Sequence, residues 1–339
     1  MVKSLLKGNV QVVTVRSLGL VGNILEDSPD RKVSVYLPPG YEANPQKRYP
    51  VLYLYMGYGY KHDAWFGGVD RNYDMSVVLD NLINQGKLNE FIVVSPDNYN
   101  KYYGSWFTNS NMSGSWEDFN AIDVVKYIDE NFRTIPKPES RGISGWSMGG
   151  YGAVKLAMKY PETFSCLYSI SGALLDFQHR LINLADEKKD FITAAKLTTI
   201  NSSITYCYSI AIAFAPDKNA VGYGAMPVDT SGVVIDSVWQ KYLAHDLASK
   251  IPDYKQNLLK LNKIVLECGT QEPPIYNENN SFSTKLKEYG INHLLNIHSG
   301  DHSYTINNRM DTHVFPFFSL NLANYEIGMN EMCYIMNDT

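Results

Sequence analysis

The chain has 339 residues, 45% of them hydrophobic and 19% charged, the balance of a globular protein with a large buried core. A net charge of −5 gives no basic footprint for nucleic acid. The apolar runs are too short and too interrupted for a membrane-spanning helix, and residues 1–8 lack the apolar stretch of a signal peptide. Residues 10–15 and 32–37 are β-rich with partial alternation and predict an antiparallel pair across a Gly/Asn/Asp/Pro-rich turn. Residues 51–55 are near-continuously apolar, as in a strand buried on both faces, and run into the glycine-containing loop 56–60. Residues 75–85 predict a helix and 91–95 another buried strand, closed by Pro96-Asp97. A loop follows that carries Tyr102, Tyr103, Trp106, Phe107 and Asn109.

Ser115 and Asp118 have capping-box spacing for a helix reaching Phe132, with Phe119, Ile122, Val125, Ile128 and Phe132 as its inner stripe. Residues 141–144 predict a strand, 151–160 a helix and 164–170 a strand. Strands alternating with helices imply a mainly parallel sheet covered on both faces. The rhythm breaks at 173–262, which reads as a cap inserted into one continuous 1–339 domain. It resumes with a strand at 264–267, a helix at 280–289 stopped by Gly290, a strand at 292–297, and a final helix at 309–323 kinked at Pro316. The four cysteines, Cys166, Cys207, Cys268 and Cys333, are scattered and favour reduced, buried thiols over disulfides or a metal site.

The chemistry centres on Gly145-Trp146-Ser147-Met148-Gly149-Gly150. A G-x-S-x-G between strand and helix is the setting of a nucleophile elbow. The serine sits on a tight turn, so the residues two before and two after it must lack a large side chain. The turn aims the Met148 amide at a developing oxyanion. A serine hydroxyl needs a histidine to take its proton and a carboxylate to orient that histidine. In doubly wound hydrolases these follow in the order serine, acid, histidine, on loops at the ends of later strands. His62, His179 and His245 precede the last strands, His293 falls inside one, and His313 falls in the final helix. His298 and His302 remain, and His302 is preferred because its loop, after Gly300, can turn back over the serine. The acid is Glu272, in the loop after 264–267; Glu267 belongs to the strand and Glu278 lies farther along. Tyr58 supplies the second oxyanion amide.

These pieces resemble one family of α/β-hydrolases: esterase D and S-formylglutathione hydrolase, feruloyl and acetyl xylan esterases, and the mycolyltransferases. The likeness runs over most of the chain. It rests on residues 35–41, 49–54, 93–97, 105–110 and 145–150, on Cys268-Gly269-Thr270-Gln271-Glu272, and on Gly300-Asp301-His302-Ser303-Tyr304. The resemblance implies an α/β-hydrolase fold and places the family's acid on Glu272 and its histidine on His302. Three departures stand out: Met56 where the family has histidine, Glu272 for aspartate, and Tyr304 for tryptophan. The expected protein is a serine carboxylic ester hydrolase with a Ser147–His302–Glu272 triad and no cofactor or metal. Its expected substrates are carbohydrate-linked, aryl or short-chain acyl esters. Trp106, Trp146, Tyr103 and Tyr304 are candidates for the substrate pocket, and a homodimer is compatible with the sequence. The alternatives are an acyltransferase to a sugar hydroxyl and a degenerate hydrolase that binds carbohydrate.

Overall fold

A computed structural model describes residues 6–68, 74–177, 185–304 and 306–324. His179 and Cys333 lie outside them. The sheet has eight strands: β1 (Asn9–Arg16), β2 (Asp30–Leu37), β3 (Val51–Tyr55), β4 (Ile92–Pro96), β7 (Arg141–Trp146), β8 (Cys166–Ile170), β9 (Lys263–Gly269) and β10 (Leu294–His298). The numbers β5 (Asn109–Ser110) and β6 (Gly114–Ser115) belong to a short separate hairpin. The order across the sheet is β1-β2-β4-β3-β7-β8-β9-β10. β1 pairs antiparallel with β2, and β2 with β4; the six strands from β4 to β10 are parallel.

Alternation along each central strand divides the core in two. On β3, Val51, Tyr53 and Tyr55 face one cluster, while Leu52 and Leu54 face the other. The first cluster includes residues of the helix Met148–Lys159 after β7, of the helical run 116–131, and of the helices Leu247–Leu258 and Pro273–Glu288. The second holds the helix Met75–Asn84 and the C-terminal helical run 306–321. Every residue of β3, β4, β7 and β8 is buried. That explains why β3 and β4 read as apolar runs, whereas β1, at the sheet edge, shows mixed burial. No helix among the described residues is long and apolar enough to cross a membrane. Cys166, Cys207 and Cys268 are buried.

Three local expectations are corrected. Ser115 makes no side-chain cap; the Asn109 Oδ1 instead accepts from the amides of Glu117 (2.9 Å) and Asp118 (3.2 Å). In the same helical run, Phe119–Asp123 forms a π turn. Its wider turn shifts the phase of the pattern. Ile122 is therefore half exposed, and Val124 takes the inner place between Phe119 and Ile128. The C-terminal run starts at Ile306 and carries a π turn at Met310–Val314, immediately before the helix Phe315–Asn321 that contains Pro316. Pro316 has no amide to continue the ladder, so the break comes as a widened turn rather than a kink.

Between β8 and β9 the described helices are Ala185–Lys196, Thr205–Phe214, Asp236–Leu243 and Leu247–Leu258. The last lies on the Met148–Lys159 helix, where Asn257 Nδ2 donates to the Met158 carbonyl at 2.9 Å. It is the crossover helix that a parallel β8–β9 pair requires.

Candidate active site

A parallel sheet delivers all its strand exits to one end. Here that end collects Tyr58 after β3, the 97–109 loop after β4, Ser147 after β7, Ser171 after β8, Glu272 after β9 and His302 after β10.

Ser147 stands at φ 59°, ψ −118°, a conformation that costs an L-residue about 1–3 kcal/mol. The turn closes because Ser147 N–H donates to the Ile170 carbonyl (3.0 Å) and the Ser147 carbonyl accepts from Ala173 N (3.0 Å). Its two flanking glycines are steric necessities. A Cβ on Gly145 would lie 2.3 Å from the Gly149 carbonyl oxygen, and one on Gly149 would lie 2.5 Å from that of Tyr55. Both obstacles are backbone and cannot swing away. Gly145→Ala is expected to destabilise the fold by about 1–3 kcal/mol. The measurement is a urea melt, where a lower midpoint at unchanged slope is the expected result.

Glu272 is buried at the N-terminus of Pro273–Glu288. Its Oε2 lies 2.6 Å from His302 Nδ1. Its Oε1 accepts from Ser171 Oγ (2.8 Å) and from the Gly269 amide (2.5 Å). The carboxylate is held by two donors on one oxygen and offers the other to the imidazole. Ser171 was not foreseen from the sequence, although its place directly after a buried strand is a usable signal. It is fully buried at φ 43°. Ser171→Ala removes a hydrogen bond to a charged group, and the expected loss is about tenfold in kcat. A loss of kcat with the urea midpoint unchanged is the mark of positioning; a matching fall in the midpoint would mean packing.

The two loops that carry Glu272 and His302 are stitched together. Thr270 N donates to the His298 carbonyl (2.9 Å), Gln271 N to that of Gly300 (3.0 Å), and Gln271 Nε2 to that of Ser299 (2.7 Å). Trp146 fixes the other side: its Nε1 donates to the His302 carbonyl at 3.0 Å, and its ring lies 5.0 Å from the imidazole at 31°. His302 is thus braced by the residue next to Ser147. Among the described residues, no hydrogen bond joins Ser147 Oγ to the His302 ring.

His298 ends β10 and is engaged elsewhere: Arg309 Nη1 approaches its Nε2 at 2.5 Å and Glu267 Oε1 at 2.7 Å, while Tyr168 OH donates to Glu267 Oε2 at 2.5 Å. Burial and the Arg309 charge push the His298 pKa down. This buried network ties β8, β9 and β10 beneath the site. Arg309 carried no sequence signal beyond being a lone cation at the head of an apolar helix. His293 bonds to Ser283 Oγ (2.7 Å), His62 to Ser34 Oγ (2.8 Å), and His245 stacks on Phe214 (4.3 Å). His313 bonds to its neighbour Thr312.

Neither the Tyr58 nor the Met148 amide is hydrogen-bonded among the described residues. A Cβ on Gly57 would meet Ser147 Cβ at 3.3 Å, so the loop carrying Tyr58 passes directly over the serine. Gly59 N donates to the Tyr103 carbonyl (2.9 Å), which binds that loop to the one after β4. Met56, at the family's histidine position, is buried.

The four substrate-pocket candidates divide. Trp106 is 1% exposed and spends its indole N–H on Ser209 Oγ (2.9 Å). It packs among Tyr151, Tyr206 and Phe214 and belongs to the core rather than the pocket surface. Trp146 is buried and, as described, braces His302. Tyr103 and Tyr304 are exposed. Tyr304 stacks on His298 (5.8 Å), and Tyr103 meets Tyr58 edge-on (6.2 Å). Tyr206, which nothing in the sequence marked, joins them from the Thr205–Phe214 helix at 5.3 Å from Tyr58.

A family model described as "Putative esterase" matches residues 27–322. An esterase of Mycobacterium tuberculosis (strain ATCC 25618 / H37Rv) is 35% identical over 144 residues, 41% of this chain and 28% of that protein. An endo-1,4-beta-xylanase/feruloyl esterase of Xylanibacter ruminicola is 33% identical over 181 residues, 50% of this chain and 22% of that protein. The chain therefore matches only a minor part of these longer relatives. A solved ferulic acid esterase superposes with a TM-score of 0.65 over 94% of this chain and 100% of its own, at 20% identity, which establishes the shared fold. The chain belongs to the esterase family whose model it matches, and its fold is that of the α/β-hydrolases.

Proposed function

We propose that the chain is a serine carboxylic ester hydrolase that works through an acyl-enzyme. The observation that carries the reading is the Glu272–His302 hydrogen bond of 2.6 Å, braced by Trp146 beside a serine on a strained elbow. In this reading Ser147 Oγ attacks the ester carbonyl while His302 Nε2 takes its proton. Glu272 holds the Nδ1–H tautomer and stabilises the imidazolium. The Tyr58 and Met148 amides hold the tetrahedral oxyanion, and one such donor is worth about 3 kcal/mol of barrier. The C–O bond to the alcohol then breaks as His302 returns the proton to the leaving oxygen. Water, deprotonated by the same imidazole, releases the acid and frees Ser147.

For the acyl group we infer an aryl or short-chain acid on a carbohydrate or simple alcohol. Tyr58, Tyr103 and Tyr206 form an aromatic wall suited to a planar ring, and the matched relatives include a feruloyl esterase. Segment 173–262 contributes Tyr206 to this wall, and its part before the crossover helix Leu247–Leu258 acts as the cap. The test is hydrolysis of p-nitrophenyl acetate, p-nitrophenyl butyrate and methyl ferulate by the purified full chain. Turnover of all three, with the highest kcat/KM on methyl ferulate, is the expected result. Folded protein that turns over none of them would overturn the hydrolase reading, and acyl transfer to an added sugar in place of hydrolysis would favour a transferase.

A further inference from the structure

Beyond Ser147 along the same helix lies a second cavity, of about 300 Å³. That volume suits a small polar solute or several waters, since one water occupies about 30 Å³ of liquid. One wall is the helix Met148–Lys159, through Lys155 and Lys159; the facing wall is the segment 244–254, through His245, Lys250 and Asp253. Lys155 is the floor. Its side chain is 7% exposed, and its Nζ donates to Thr108 Oγ1 at 2.6 Å. Lys159 and Lys250, about a third exposed, stand at the rim.

The carboxylates in this cavity are already engaged. Glu117 lies 3.6 Å from Lys155 Nζ, bonds Lys159 Nζ at 2.5 Å and accepts from Tyr160 OH at 2.9 Å. Asp253 lies 3.6 Å from Lys250. Three lysines and two carboxylates thus line the cavity, with Lys155 the most buried of the three lysines. We propose that this cavity binds a small oxyanion, either a carboxylate or a tetrahedral sulfate- or phosphate-like ion, between Lys155 at the floor and Lys159 and Lys250 at the rim.

The electrostatics support the geometry. Burial lowers the Lys155 pKa to about 7, against the opposing pull of Glu117 and with a further push from Lys159. His245 is driven down to about 2 by burial and by Lys155, Lys159 and Lys250 together, so it stays neutral. The same three lysines therefore act on one point of the cavity. Tyr151 and Tyr160 are pushed up, chiefly by burial, and stay neutral. Tyr254 also lines the cavity, and Asp118 and Asp246 lie behind it, next to Tyr160 and Tyr151. An anion beside Lys155 restores its charge, so binding takes up a proton. Affinity is full below pH 7 and falls as pH rises through it, by about tenfold between pH 6 and pH 8.

The experiment is calorimetric titration of the full chain with sodium sulfate and, separately, sodium acetate, at pH 6 and pH 8 and constant ionic strength. Neither anion titrates in that range. Binding of either that weakens about tenfold at pH 8 is expected, and the anion that binds names the class. Lys155→Met should abolish the pH dependence and weaken binding at least tenfold; Lys250→Ala should weaken it with the fold intact by circular dichroism. If Lys155→Met does not fold, Lys250→Ala and the wild-type pH dependence decide. No heat from either anion, or binding indifferent to pH and to both substitutions, overturns the proposal.

Discussion

Ser147→Ala is expected to lower kcat for ester hydrolysis by at least ~10⁴-fold while leaving the fold unchanged. Alanine keeps the Cβ and can hold the same φ 59° backbone, so only the hydroxyl is lost. Without a nucleophile no acyl-enzyme forms, and what remains is the weak stabilisation of direct water attack by the Tyr58 and Met148 amides. The measurement is steady-state turnover of p-nitrophenyl acetate together with a burst experiment. A variant that still releases a stoichiometric burst of p-nitrophenol would remove Ser147 from the role of nucleophile.

Glu272→Gln is expected to cost about 10⁴-fold in kcat, with little change in KM. The reason lies in how the carboxylate is held. Both oxygens accept: Oε2 faces His302 Nδ1, and Oε1 faces Ser171 Oγ and the Gly269 amide. An amide cannot satisfy both sides. With its NH₂ toward His302, the ring is turned to the wrong tautomer; with its NH₂ toward Gly269, two N–H groups collide. Glu272→Asp keeps the charge but is one methylene short, and its activity should fall between wild type and Glu272→Gln. The ranking Glu, Asp, Gln is the readout. A Glu272→Gln enzyme as active as Glu272→Asp would mean that the negative charge is not what His302 requires.

The local parts of this site are legible in the sequence because they depend on short-range sterics. Gly145 and Gly149 mark a turn that admits no side chain on either side of Ser147. The buried strands 51–55 and 91–95 announce themselves as apolar runs because both faces of a central parallel strand are covered. Gly290, at φ 70°, stops its helix where the sequence places the stop. Asn109, across the short β5–β6 hairpin from Ser115, takes the place of Ser115 as the cap, and a π turn rotates Ile122 outward, which a 3.6-residue periodicity cannot anticipate.

The tryptophans show the other boundary. Trp106 and Trp146 read equally well as pocket aromatics, because sequence gives the side chain and not its surroundings. Only the fold reveals that one donates to Ser209 in the core and the other to the His302 carbonyl. Ser171 and Glu272 are 101 positions apart, and Trp146 and His302 are 156 apart. Such pairs exist because β7, β8, β9 and β10 lie side by side and end at one edge. The sequence by itself determined the elbow, the strand and helix rhythm and the candidate acid and histidine, since each is written in consecutive residues. The tertiary structure alone decided which groups hold that acid and histidine in place, because strand order brings together residues that no local spacing relates.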